Sequence, residues 1–145
     1  MEERGDPVTH LSEQACWDHL AQQELGRLVT RVGDVLDIFP VNFVVDAETI
    51  VFRTAEGSKL TELTINDEVL FEADDHTERD AWSVVVRGTA HRLETGAEIE
   101  AADALPLKPW IPTLKFNYVR IKAHALSGRA FSRDEEPDRG GVQPY

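Results

Sequence analysis

The sequence predicts a mainly β chain: about six antiparallel strands curved into a barrel, with short flanking helices. Three observations carry that reading. Residues 81–93 form a run too long and too β-branched for anything but a strand, and Gly88 inside it marks a bulge or a tight bend of a closed sheet. Residues 27–32 and 35–45 flank Gly33-Asp34, a two-residue pair with hairpin chemistry. Every helical stretch between the strand runs is short.

The elements follow in order. Residues 1–10 are polar, lack periodicity and read as a flexible segment ahead of a barrel domain over 11–131. Ser12 followed by Glu13 and Gln14 marks a helix start, Ala15, Cys16, His19 and Leu20 share one face, and Gly26 is expected to end that helix. Pro40 falls inside the second strand run; because it cannot donate to a ladder, it implies an edge, a bulge or a bend near Phe39-Pro40-Val41-Asn42. Residues 46–49 are a turn and 50–54 the third strand. Residues 59–64 suit one or two helical turns, 68–73 a strand, and 74–80 a charged loop. After the long strand, 96–104 is Ala/Glu-rich and helical. The prolines at 106, 109 and 112 make 105–113 an extended connection, 115–125 alternates as the last strand, and 132–145 reads as a disordered charged tail.

Composition narrows the function classes. A chain of 145 residues with 41% hydrophobic content supports one ordinary core. Acidic residues outnumber basic ones 27 to 15, and the net charge of −12 opposes contact with nucleic acid or anionic lipid, so neither is an expected partner. The single Cys16 forms no intrachain disulfide and the N-terminus lacks the pattern of a signal peptide, which points to the cytoplasm. No apolar run approaches the roughly 20 residues that span a bilayer.

Against this acidic background the basic residues around position 53 stand out. In Ile50-Val51-Phe52-Arg53-Thr54-Ala55-Glu56-Gly57-Ser58-Lys59-Leu60 a β run ends in a cation and a hydroxyl, and a glycine leads into a helix start. A phosphate dianion needs charge-assisted donors from several directions, and Arg53, Thr54, Ser58, Lys59 and the helix-terminal amides could supply them. The competing reading is a plain strand–turn–helix junction in which Ser58 N-caps the helix and both cations are solvated.

Other chemistry is weaker. There is no Gly-x-Ser-x-Gly elbow, and Cys16 lies on a core face, so no nucleophile is assigned. Asp74-Asp75-His76 reads as a solvated loop, with no metal expected, and His91 and His124 as structural histidines. Trp82 and Trp110 are candidates to pack the core or stack near a planar ligand.

Taken in order, Gly26-Arg27-Leu28, Phe39-Pro40-Val41-Asn42-Phe43-Val44-Val45-Asp46, Phe52-Arg53-Thr54 with Gly57-Ser58-Lys59-Leu60, Trp82-Ser83-Val84-Val85-Val86-Arg87-Gly88, Tyr118-Val119-Arg120-Ile121 and Ser127-Gly128-Arg129 form a pattern. It resembles the pyridoxamine 5′-phosphate oxidase-like split β-barrel proteins that bind flavin or deazaflavin. The resemblance implies a homodimer of six-stranded split barrels with FMN between the subunits. It further implies a phosphate held by Arg53, Thr54, Ser58 and Lys59, a ring lined by Pro40, Val41 and Asn42, and Trp110 approaching from the other subunit. The expected activity is flavin-mediated hydride or electron transfer to a small molecule, with no catalytic side chain assigned. The basic C-terminal substrate signature of the B6 oxidase is missing, since the chain continues Arg133-Asp134-Glu135-Glu136, which argues against that activity. The alternatives are an F420-dependent reductase of the same fold, or a flavin- or ligand-binding protein without turnover. FMN is preferred over F420 because a compact basic cluster suits one phosphate better than a polyglutamate tail.

Overall fold

A computed structural model of the chain describes residues 8–107 and 117–133. Among the described residues seven strands and three helices follow in the order β1 (Val8–His10), α1 (Glu13–Leu20), β2 (Leu25–Val32), β3 (Val35–Asp46), β4 (Thr49–Thr54), α2 (Ser58–Ile65), β5 (Glu68–His76), β6 (Asp80–Arg92), α3 (Gly96–Asp103) and β7 (Asn117–Ser132). All pairings are antiparallel, in the order β1-β7-β4-β3-β2-β5-β6, and β6 also pairs with β7. Strands β2 to β7 therefore close into the six-stranded split barrel, with β1 as an added strand on β7.

Inward positions make the core. Leu28, Ile50, Phe52, Phe71, Val84, Val86, Val119 and Ile121 are buried, and Phe43 meets Phe71 edge-on at 4.7 Å and 69°. Helix α1 starts where Ser12 Oγ accepts from the Ala15 amide at 3.1 Å, and it turns Cys16, Trp17 and Leu20 into the same core. Burial pushes the Cys16 thiol above its ordinary range, so it behaves as a small apolar group. A second cluster lies outside the barrel wall, where Ala102 of α3 covers Val51, Leu93 and Tyr118. A capping box formed by Thr95 and Glu98 starts α3.

Several boundaries differ from the sequence reading. Val8–His10, expected within a flexible segment, forms a strand because Arg129–Phe131 of β7 offers it a partner. Gly26 does not end the first helix; it sits within β2, where an added Cβ would stand 2.2 Å from Phe71 Cζ. Strand β5 continues to His76 instead of ending at Ala73, because Asp74, Asp75 and His76 pair with Ser83, Trp82 and Ala81. Strand β7 extends to Ser132, whose hydroxyl donates to Asp80, so only residues 134–145 of the predicted tail lie outside the described residues. Gly57, not Ser58, is the N-cap of α2.

Two local features are strained or tight. Pro40 lies in the half of β3 that pairs with β2 alone, because the β3–β4 ladder ends at Phe43–Phe52. That satisfies the edge requirement of a proline without a donor. The register shift expected at Gly88 is present: Arg87 faces Ala125 while Gly88 faces Ala123, leaving His124 of β7 as the extra residue. Gly88 lies so close to β7 that a Cβ would come within 2.3 Å of the Lys122 carbonyl oxygen. The β3–β4 turn is more costly. Ala47 and Glu48 adopt φ of 47° and 58°, a type of turn that favours Asn-Gly. Arg120 holds it shut, donating from Nη1 to Asp46 Oδ2 at 2.9 Å and Thr49 Oγ1 at 2.6 Å.

On the outer face of β2 and β5, Arg27 Nη1 donates to Glu72 Oε1 at 2.6 Å and Asp74 Oδ2 at 2.9 Å. Burial, together with the neighbouring Asp74 carboxylate, pushes the Glu72 carboxyl up to about 7, against the opposing pull of Arg27.

Three outcomes are expected. Replacing Ala47→Asn with Glu48→Gly should stabilise the protein by about 1 kcal/mol in urea unfolding, because it relieves the left-handed turn; an unchanged midpoint would show that the turn stores no strain. Gly88→Ala should cost about 3 kcal/mol, since backbone on β7 must move. Glu72 has a folded pKa raised above its ordinary 4.5, so its contribution to stability is present below that value and is lost as pH rises through about 7. Urea midpoints measured from pH 5 to 8 should therefore fall less steeply in Glu72→Gln than in the wild type.

Candidate functional site

Alternation along β4 decides what its last residues face. Ile50, Phe52 and Thr54 point inward, while Val51 and Arg53 point outward, Val51 beneath α3 and Arg53 just beyond it. Arg53 pairs with Tyr118 and Thr54 with Asn117, both at the start of β7. On its other side β4 has parted from β3, whose pairing with it stops at Phe43–Phe52. The end of β4 is thus one arm of a fork, and α2 begins four residues later.

The two cations flank this arm. The Arg53 guanidinium carbon lies 5.8 Å from the centroid of the Tyr118 ring, on the β7 side. Lys59 Nζ lies 5.5 Å from the Phe39 ring, on the β3 side. Arg53 Nε is sealed from solvent and has no hydrogen-bond partner among the described residues. A buried charged donor without an acceptor is costly, so this atom invites an anion. The first turn of α2 adds to the invitation. Its N-cap, Gly57, offers no side chain to accept from the first amides, and Ser58 is exposed as the first helical residue.

The one carboxylate of the junction is engaged elsewhere. Glu56 accepts from Asn117 Nδ2 at 3.4 Å and lies 3.8 Å from Arg92 Nη2. Thr54 is buried, and its hydroxyl donates to the Ala55 carbonyl at 3.2 Å, so its side chain is committed to the loop. Tyr118 is buried and donates its hydroxyl to Asp103 of α3. Burial and the bond to Asp103 raise its phenol above the usual range, and the Arg53 guanidinium pulls the other way.

The residues predicted to line a ring are divided. Pro40 is exposed on the free-edge half of β3. The Asn42 carboxamide donates to the Glu24 carbonyl at 3.3 Å. The Val41 side chain is in the core at 4% exposure, so only its backbone can line a ligand. Trp110 lies outside the described residues. Trp82 stands at the far end of β7, opposite Ala130, and packs on His19 at 4.7 Å, away from the fork. Asp74 and Asp75 are engaged by Arg27 and Gln23.

A cleft of about 710 Å³ lies elsewhere, lined by Val29, Arg31, Leu36, Leu70, Arg87 and His124 among others. None of the predicted cofactor residues lines it. Volume alone does not make a ligand site; of the two buried side-chain nitrogens without a partner among the described residues, His19 Nδ1 and Arg53 Nε, only Arg53 carries a fixed charge, so the chemistry favours the fork. The sequence reading did not single out Tyr118 or Phe39 as neighbours of the two cations. The pairing of Arg53 with Tyr118 is a register fact, visible only once β4 and β7 are side by side.

Residues 12–130 match the family model described as pyridoxamine 5′-phosphate oxidase, a span that runs from the N-cap of α1 into β7. Among solved structures, a Corynebacterium glutamicum protein provisionally named a pyridoxamine 5′-phosphate oxidase is similar at 51% identity. The alignment covers 92% of this chain and 100% of that one, with a TM-score of 0.86. The FAD binding protein from Mycobacterium smegmatis is 44% identical, over 86% of this chain and 98% of its own, with a TM-score of 0.76. An uncharacterised protein of Mycobacterium tuberculosis is 43% identical over 96 residues, 66% of this chain and 87% of its own length.

Proposed function

The chain belongs to the pyridoxamine 5′-phosphate oxidase family, and from that premise we propose that it binds a flavin by its phosphate at the β4–α2 junction and uses it to pass hydride or electrons to a small molecule. The observation that carries the reading is Arg53 Nε, a buried charged donor with no acceptor among the described residues. Arg53 and Lys59 would hold the phosphate from the two sides of the strand end, with Ser58 and the first amides of α2 closing on it. Thr54 contributes the shape of the loop, and Pro40, the Val41 backbone and Asn42 the edge along which the ring lies. When bound, the flavin supplies the redox chemistry, and the protein supplies position and hydrogen bonds.

The similarity to a Mycobacterium smegmatis FAD binding protein supports a flavin as ligand, with either one phosphate or two. We keep FMN as the preferred form, because the basic residues form a compact group on an acidic chain, and F420 as the alternative. We place the protein in the cytoplasm as a homodimer whose ring site is completed by Trp110 of a second copy. Val35, Leu36 and Ile38 on β3 are 58%, 68% and 62% exposed, an apolar surface that a second copy would cover.

The test is titration of the wild type and of Arg53→Ala with Lys59→Ala, using FMN, FAD and F420, followed by tryptophan fluorescence. Each lost charged hydrogen bond is expected to cost roughly 1.5–3 kcal/mol, so FMN should weaken by about a hundredfold or more in the double variant. Unchanged FMN affinity would remove the phosphate site. Bleaching of the bound flavin by reduced nicotinamide, with reoxidation by an acceptor, would support the oxidoreductase; binding without turnover would leave a carrier.

A further inference from the structure

We infer that Tyr118 is a positioning residue that holds the Arg53 guanidinium at the end of β4, and so sets how strongly the site distinguishes a phosphorylated ligand from its unphosphorylated form. The inference rests on the phosphate site proposed above. It starts from the register: Arg53 and Tyr118 are directly paired, on the outward face of adjacent strands. In such a pair the side chains stand side by side, within reach of each other. The guanidinium carbon is 5.8 Å from the ring centroid, within the range of a cation–π contact.

A guanidinium held against a tyrosine gives at most one of its five N–H donors to the hydroxyl and keeps the rest for an anion, whereas a bidentate ion pair with a carboxylate would consume two. The protein avoids that alternative here. Among the described residues Arg53 forms no ion pair, although Asp103 and Glu56 are both nearby in the fold: Asp103 accepts from the Tyr118 hydroxyl, and Glu56 faces Arg92 and Asn117. The ring itself cannot drift. It is 5% exposed, packed with Val51, Leu93 and Ala102, and tied at its hydroxyl to the last residue of α3. Helix α3 therefore reaches the phosphate site through Tyr118 without touching the ligand. A rotamer-rich arginine on the outer wall of a barrel would otherwise lose entropy on binding, and a fixed platform removes part of that cost.

The experiment measures the ratio of FMN to riboflavin affinity, since the two ligands differ only in the phosphate. In the wild type FMN should bind more tightly, and Arg53→Ala should bring the ratio toward one. Tyr118→Leu should lower the ratio by roughly three- to tenfold with riboflavin affinity unchanged, and Tyr118→Phe, which keeps the ring but loses the bond to Asp103, should lower it by less. A ratio that falls in Arg53→Ala and stays at the wild-type value in Tyr118→Leu overturns the positioning role and leaves the phosphate site standing. A ratio unaffected by Arg53→Ala overturns the phosphate site itself, and this inference with it. Should Tyr118→Leu fail to fold, the Arg53 Nε–H resonance of the wild type, identified by its loss in Arg53→Ala, decides the matter. The contact predicts nuclear Overhauser effects from the Arg53 side chain to the Tyr118 ring protons, and their absence overturns it.

Discussion

The ladder between β6 and β7 is the contact on which the rest of the barrel depends, because it joins the two ends of a six-strand sheet. Without it the order β7-β4-β3-β2-β5-β6 would be an open, strongly twisted sheet with two long unpaired edges. The closure is possible because both strands are long, thirteen residues in β6 and sixteen in β7, and because the ladder is allowed to slip once. At that slip His124 is carried as an extra residue opposite Gly88, and the sheet acquires the curvature that closing needs. Glycine is required there by contact: the backbones are too close for a Cβ.

The site follows from the same constraint. Since β7 is longer than any single partner, its first half takes β4, its second half takes β1, and β6 runs along its other edge throughout. Strand β4 is then drawn to β7 at Arg53 and Thr54 while β3 stays with β2, and the two strands part after Phe43 and Phe52. The fork leaves a strand end beside a helix start, where backbone donors and outward-facing cations meet. Pro40 is tolerated in β3 because this parting frees one of its edges.

Electrostatics make the same place distinctive. On a chain of net charge −12, most carboxylates either face solvent or are engaged by a specific donor, as Glu72 and Asp74 are by Arg27, Asp46 by Arg120 and Glu56 by Asn117 and Arg92. Arg53 is treated differently. It is given an aromatic face in place of a carboxylate, and one of its donors is withdrawn from solvent with nothing to bond. Retaining that arrangement costs stability in the ligand-free chain, which is the usual signature of a group kept ready for a partner.

Much of this was legible in the residues themselves. Period-two alternation and β-branching identified the strands, Gly33-Asp34 the hairpin, Ser12 the start of α1 and Gly88 the bulge, because each depends on local backbone chemistry. The cluster of Arg53, Thr54, Ser58 and Lys59 is contiguous, so a reader of the chain could find it. What the residues alone misassigned were features settled by distant partners. Val8–His10 is a strand only because β7 reaches past β4 to meet it. Gly26 is a packing glycine against Phe71 and not a helix stop. The pairing of Arg53 with Tyr118, 65 positions apart, was not legible at all, because it too depends on a distant strand. Local sequence determined which segments are extended and where the charges lie; tertiary structure decided which of those charges are left without a partner, because burial and register are properties of the closed sheet and of no single strand.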